Sequence, residues 1–197
     1  EADGIIVVNR IKPHTAFRGT YESGLMKMIT IGLGKQQGAE ICHREGILRL
    51  GPNVEKFAFS ILQHAPILFG IGTIENSCDE TYDVFALTKE EIPIKEPEYL
   101  AKAKALMGKI FIPSVDVLIV DEIGKNVSGD GMDPNISGRW IVPTIQGGIE
   151  SKIVAVLDLT KETLGNAVGI GMADVCTKRA VDKIDFDITY PNSLTNT

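Results

Sequence analysis

The sequence predicts an α/β fold with largely parallel sheets and flanking helices, laid out as parts of two α/β domains. Three observations carry this reading. Residues 5–8 and 115–120 are short, unbroken apolar runs, the pattern of strands covered on both faces. Segments with helical spacing of apolar residues lie between such runs. The order strand, loop, helix restarts in the second half, and alternation of that kind favours crossover connections and parallel pairing.

Taken in order, residues 5–8 form a first strand and residues 9–19 a loop containing Pro13 and His14. A helix is expected from near Glu22, where Thr20 and Ser23 are capping types and Leu25, Met26 and Ile29 have helical spacing. Gly32, Leu33 and Gly34 interrupt it, and a further helical stretch covers 37–43. Pro52 at a first helical position opens an amphipathic helix through Val54, Phe57, Ala58, Ile61 and Leu62, closed by Pro66. Residues 67–74 and 82–87 are strands joined by a polar turn, an antiparallel hairpin. The charged stretch 90–98 carries two prolines and reads as a connection, followed by a helix through Leu100, Ala103, Met107 and Ile110. The second half gives strands at 115–120 and 153–159, a helix at 172–184 and a last strand at 186–190. The boundary falls near 111–114, so 1–112 are the end of a first domain and 113–197 the start of a second.

Composition narrows the function classes. With 44% hydrophobic and 23% charged residues, the 197-residue chain has the make-up of a packed protein rather than a disordered one. A net charge of -6 without a basic cluster argues against nucleic acid as a partner. No apolar run is long enough to cross a bilayer and no signal-peptide pattern opens the chain, so a cytoplasmic location is expected. Cys42, Cys78 and Cys176 are odd in number and widely spaced, which predicts buried free thiols rather than a disulfide framework or zinc knuckle. The chain enters a core strand within three residues of Glu1 and ends in a polar stretch, so an internal piece of a longer polypeptide is expected.

Candidate chemistry concentrates early. His14 lies in the loop after the first strand, and ligands of open α/β sheets gather at the carboxyl ends of strands. Lys27 interrupts an otherwise apolar segment, 24–29, where a lysine either snorkels to water or is held at a site. His64, at a helix end, reads as a structural partner of the last carbonyls. Lys35 follows Gly32-Leu33-Gly34 without the spacing or hydroxyl of a phosphate loop, so a nucleotide site is rejected.

Pro13-His14, Gly19, Gly24, Lys27 and His43, the last sixteen residues beyond the lysine, together resemble the lactate racemase family of nickel-pincer enzymes. The local resemblance covers about fifty residues. Its histidine-to-lysine spacing is three residues longer than the family's, an insertion within 17–23. The resemblance implies an isomerase, a racemase or epimerase of a small 2-hydroxy acid. It implies a cofactor whose pyridinium ring carries two sulfur-bearing arms around nickel, and which a recombinant fragment can lack. Lys27 would be its covalent tether, His43 the nickel ligand and His14 an acid/base histidine, with Gly24 and Arg18 on the cofactor side. Sulfur and imidazole donors suit nickel, and a neutral imidazole can take a hydroxyl proton near pH 7. The family's second such histidine would precede Glu1.

The family's glutamine-lysine pair in the second domain does not align here; Lys125, in the loop 121–134, is the substitute at the substrate side. Asp130 and Asp133 of that loop have the chemistry for a hard cation, but the EF-hand spacing is absent and a turn-rich loop is the plainer reading. Arg18 and Arg139 could clamp a carboxylate, and Trp140 is expected to pack. The alternative to an enzyme is a non-catalytic α/β protein that binds a small carboxylate or phosphorylated ligand.

Overall fold

The structure, a computed structural model, describes residues 2–195. The chain is α/β and divides into two compact units, Glu1–Gly108 and Lys109–Thr197. No helix among the described residues is long and apolar enough to cross a membrane.

The first unit is built on β1 (Ile5–Arg10), β2 (Ile67–Glu75) and β3 (Thr81–Thr88), in that spatial order. β1 and β2 run parallel; β2 and β3 form the expected antiparallel hairpin. The crossover from β1 to β2 holds α1 (Leu25–Lys27), a π-helical turn (Met28–Gly32), α2 (Leu33–His43) and α3 (Ile47–His64). After β3 comes α4 (Ile92–Leu106). Val7, Leu25, Met26, Ile29, Ala58, Leu62, Ile67, Leu87 and Ile92 make one buried cluster between sheet and helices. Phe17, Cys42, Leu50 and Val54 make a second, which anchors the His14 loop to α2 and α3.

The second unit has an all-parallel sheet, β4 (Ser114–Ile123), β5 (Glu150–Leu159) and β6 (Val175–Cys176). Around it lie α5 (Pro134–Ser137), a 3-10 turn (Ile170–Met172), α6 (Lys178–Asp182) and α7 (Phe186–Thr195). Ile123, Met132, Val154, Val156, Leu159 and Ala167 form its core.

Several expectations are corrected. The apolar strands are covered on one face only. Ile6, Val8 and Val84 in the first sheet, and Val117, Ile119 and Val175 in the second, are each half-exposed or more. Apolar composition alone did not distinguish a covered face from an open one.

Pro52 sits inside α3, which starts more than a turn earlier at Ile47. Pro52 has no N–H to give the Leu48 carbonyl, which lies on an exposed turn. The stretch 90–98 is not a connection but the first half of α4, with Pro93 in its first turn and Pro97 inside. Pro97 has no N–H to give the Pro93 carbonyl, and the Tyr21 hydroxyl donates to that carbonyl instead, at 2.8 Å. α4 ends at Leu106, short of Ile110.

The expected helix at 172–184 is a 3-10 turn, a strand that pairs with β5, and the short α6, which Thr177 caps through Ala180 N–H. The expected strand at 186–190 is the start of α7. There the Asp185 carboxylate accepts from the N–H groups of Asp187 and Ile188, and the rings of Phe186 and Tyr190 pack one turn apart at 5.5 Å. Of the three free thiols only Cys42 is buried; Cys78 and Cys176 are exposed.

Candidate functional site

β1 ends where the site begins. The Asn9 amide donates to the Gly24 carbonyl at 2.8 Å, which brings the start of α1 to the carboxyl end of β1. Lys12 and Ser23 exchange two backbone hydrogen bonds, so the loop between them closes like a clasp. α1 therefore starts at Leu25 rather than near Glu22, since Ser23 is held in that bridge.

Two buried carboxylates hold this arrangement. Glu22 accepts from the His14 N–H at 2.7 Å, from Lys104 Nζ of α4 at 2.6 Å and from Arg18 at 3.4 Å. Glu96 of α4 accepts from the Met26 N–H at 2.9 Å, one of the open donors at the start of α1. Burial pushes the Glu96 carboxyl up to about 7, against the pull of those backbone donors. Gly24 is explained by the same contact: a Cβ there would lie 2.1 Å from Glu96 Oε1. It thus makes room for the carboxyl that caps α1.

His14 and Lys27 meet directly, with Nζ 2.7 Å from Nε2. The other imidazole nitrogen, Nδ1, accepts from the Ala16 N–H at 3.0 Å. A backbone N–H can only donate, so the neutral imidazole carries its hydrogen on Nε2. Phe17 packs against the imidazole with ring centroids 4.3 Å apart. Burial, then the charges of Lys27, Lys12, His43 and Arg18, hold His14 down to about 2. It is therefore neutral at any physiological pH.

His43, exposed at the end of α2, is also lowered, by desolvation and then by the Lys27 charge. A neutral imidazole is the form that ligates a metal. The Lys27 charge thus acts on both His14 and His43. Arg18 is exposed, and its guanidinium donates to the His14 carbonyl at 2.9 Å, bracing the loop.

Irregular backbone surrounds the lysine. The π turn follows Lys27 immediately, and Lys35 within α2 has φ 54 and ψ -153, a region that side chains other than glycine rarely occupy. Such departures concentrate at functional sites.

The second unit's candidates are engaged in structural roles. Lys125 Nζ donates to the Gly129 carbonyl at 2.8 Å, within its own loop. Asp133 caps α5 through the Asn135 N–H at 2.8 Å, so the hard-cation reading of this carboxylate gives way to capping. Among the described residues no group of three or more His, Cys, Asp or Glu side chains is arranged to hold a metal. Arg139 pairs with Asp174 at 2.6 Å and with the Ser151 and Lys152 carbonyls. Trp140 donates to the Gly147 carbonyl, and His64 Nδ1 lies 2.8 Å from the Ser60 carbonyl.

Sequence reasoning missed Glu22 and Glu96. Glu96 meets Met26 from 70 positions away, and Glu22 joins its local partners His14 and Arg18 to Lys104, 82 positions away. Comparison with protein-family models, with curated proteins and with solved structures found no match for the chain.

Proposed function

We propose that this chain carries the cofactor site of a cytoplasmic 2-hydroxy-acid racemase or epimerase, with Lys27 as covalent tether for a nickel-pincer cofactor, His43 as nickel ligand and His14 as proton carrier. One observation supports the reading most: Lys27 Nζ lies 2.7 Å from His14 Nε2 beside the carboxyl end of β1, and the Lys27 charge acts on His43 as well. The residues fit such a group in two further respects. Imidazole at His43 is neutral and exposed, ready to donate its lone pair. Among the described residues no group of three or more metal-ligating side chains is arranged to hold a metal, and further donors to nickel would come from the cofactor's sulfur arms.

When bound, the cofactor would supply a nickel-associated ring that takes up and returns hydride at the substrate carbon. The chain's own groups would do the rest. His14 exchanges the hydroxyl proton at Nε2. To accept it there, the imidazole must carry its other hydrogen on Nδ1, so the Ala16 contact has to open during turnover. Arg18 and Lys12 supply positive charge beside His14, suited to a substrate carboxylate.

The same positive rim of Lys12, Arg18 and Lys27 favours a second reading, a protein that binds a small carboxylate or phosphorylated ligand without nickel chemistry. Production of the protein together with the cofactor's biosynthetic enzymes separates the two. The first reading expects about one nickel per chain and interconversion of 2-hydroxy-acid enantiomers, both abolished by Lys27→Ala. A folded, nickel-free protein under those conditions, or racemisation that survives Lys27→Ala, would overturn it.

A further inference from the structure

We propose that Glu96 of α4 is a positioning residue for the His14–Lys27 pair: its buried carboxyl caps the first turn of α1 from 70 positions away and fixes where Lys27 leaves the backbone. The consequence for a cofactor rests on the tether reading of Lys27; the geometry beneath it does not.

α1 has little of its own to hold it in place. It spans three residues, Leu25–Lys27, and passes directly into the π turn. A helix that short gains nothing from repetition of its hydrogen bonds. Its N-cap is Gly24, which has no side chain to cap with, so the first N–H groups of α1 need an acceptor from elsewhere. Glu96 is that acceptor. Its Oε2 takes the Met26 N–H at 2.9 Å, and the Leu25 N–H bonds to the same carboxyl.

Gly24 and Glu96 fit each other. A Cβ on Gly24 would lie 2.1 Å from Oε1 and 2.8 Å from the carboxyl carbon. Glu96 is 1% exposed, so giving way would carry its carboxyl against packed neighbours.

The other ties act on other residues. The Asn9 amide holds the Gly24 carbonyl and the Lys12–Ser23 bridge holds Ser23, both from the β1 side. Glu96 holds Leu25 and Met26, the two residues that separate Gly24 from Lys27. The same helix holds the partner. Lys104, further along α4, binds Glu22, which accepts from the His14 N–H. Both members of the pair are thus referred to α4, and a shift of α1 against it would change the 2.7 Å separation of Lys27 Nζ and His14 Nε2. One observation opposes: Leu25 and Met26 are fully buried, and their packing also holds the turn. Packing fixes the depth of a side chain, whereas a hydrogen bond fixes the direction of an N–H and the turn with it.

The test reads the His14 ring nitrogens of the folded 197-residue chain by long-range proton–nitrogen NMR, with His14→Phe identifying the signals. Lys27→Met defines their position without the lysine. Glu96→Leu fills the same buried space without an acceptor. It should move the His14 signals at least half of the way to their Lys27→Met position. Glu96→Gln keeps an acceptor for the Met26 N–H and should leave them in place. Gly24→Ala puts a Cβ where Oε1 sits and should move them as Glu96→Leu does; it decides if Glu96→Leu does not fold. His14 signals that stay in place in folded Glu96→Leu, even with a lower urea midpoint, would show that Glu96 serves stability only and would overturn the proposal. An equal shift in Glu96→Gln, or signals that Lys27→Met leaves unmoved, would overturn it too. In protein made with the cofactor's biosynthetic enzymes, the adduct on Lys27 should fall by about tenfold or more in Glu96→Leu and persist in Glu96→Gln. An undiminished adduct in Glu96→Leu would count against Glu96. An adduct missing from the unaltered chain would count against the tether reading instead, and the His14 signals would then decide on Glu96 by themselves.

Discussion

At the residue scale, two buried titratable groups set opposite pH dependences. His14 is held far below 6.5, to about 2, so the unfolded chain binds a proton more readily than the folded one as pH falls. Its contribution is fully present above about pH 6.5 and is lost progressively as the solution is acidified. Glu96 is raised from 4.5 to about 7. Its contribution is fully present below about pH 4.5 and is lost as pH rises through 7. Glu96→Gln keeps an acceptor for the Met26 N–H and removes the ionisation. We predict that this variant gains stability relative to the unaltered protein between pH 6 and 8, by on the order of 1–3 kcal/mol at the upper end, in urea denaturation series run at each pH. A constant difference across that range would refute the assignment.

Glu22 is the other fixed point, since its carboxylate ties the His14 backbone to Arg18 and to Lys104 of α4. Glu22→Ala should cost roughly 2–4 kcal/mol, because it strands a buried N–H and parts two cations from their anion. Glu22→Gln should cost less, since the amide oxygen still accepts from His14 N–H. Equilibrium unfolding measures both. Glu96 was illegible in the sequence because it acts across the fold, and so was the link from Glu22 to Lys104, whereas His14, Lys27 and His43 carry their spacing on one stretch of chain.

At the element scale, the segment from α1 through α2 departs from regular helix where the candidate tether lies. Lys35 occupies positive φ at a cost of about 1–2 kcal/mol for a residue with a Cβ. Lys35→Gly should therefore stabilise the protein by about 1 kcal/mol, measured as a rise in the urea midpoint at constant slope. A loss of stability would mean that the Lys35 side chain contributes contacts that outweigh its backbone strain.

The sequence pattern was sound where one local rule governs. The hairpin of β2 and β3 and the buried stripe of Val54, Ala58 and Leu62 on α3 both follow from periodicity. It misled where a breaker met a compensating partner. Pro97 is tolerated in α4 because Tyr21, 72 positions from Pro93, replaces the missing donor. The segment 186–190 took helical form because of a cap and an i,i+4 ring pair rather than its β-prone composition.

At the scale of the whole molecule, each unit has its own sheet and its own buried cluster. Residues 1–108 expressed alone should fold cooperatively and retain the His14–Lys27 contact, with one urea transition and dispersed NMR spectra. A collapsed, non-cooperative product would show that the first unit depends on the second. The α/β class was legible because alternating apolar runs report secondary structure. The open sheet faces were not, because an apolar strand reads the same whether or not something lies against it.

The proposed function turns on Lys27 as the point of covalent attachment. The direct measurement is tandem mass spectrometry of the Lys27 peptide from the protein made together with the cofactor's biosynthetic enzymes. Attachment at this residue predicts a pyridinium dithio-type mass addition on Lys27, retained in His43→Ala, where nickel is lost, and absent in Lys27→Ala. An unmodified Lys27 in a folded protein, or the same addition on another lysine, would contradict it.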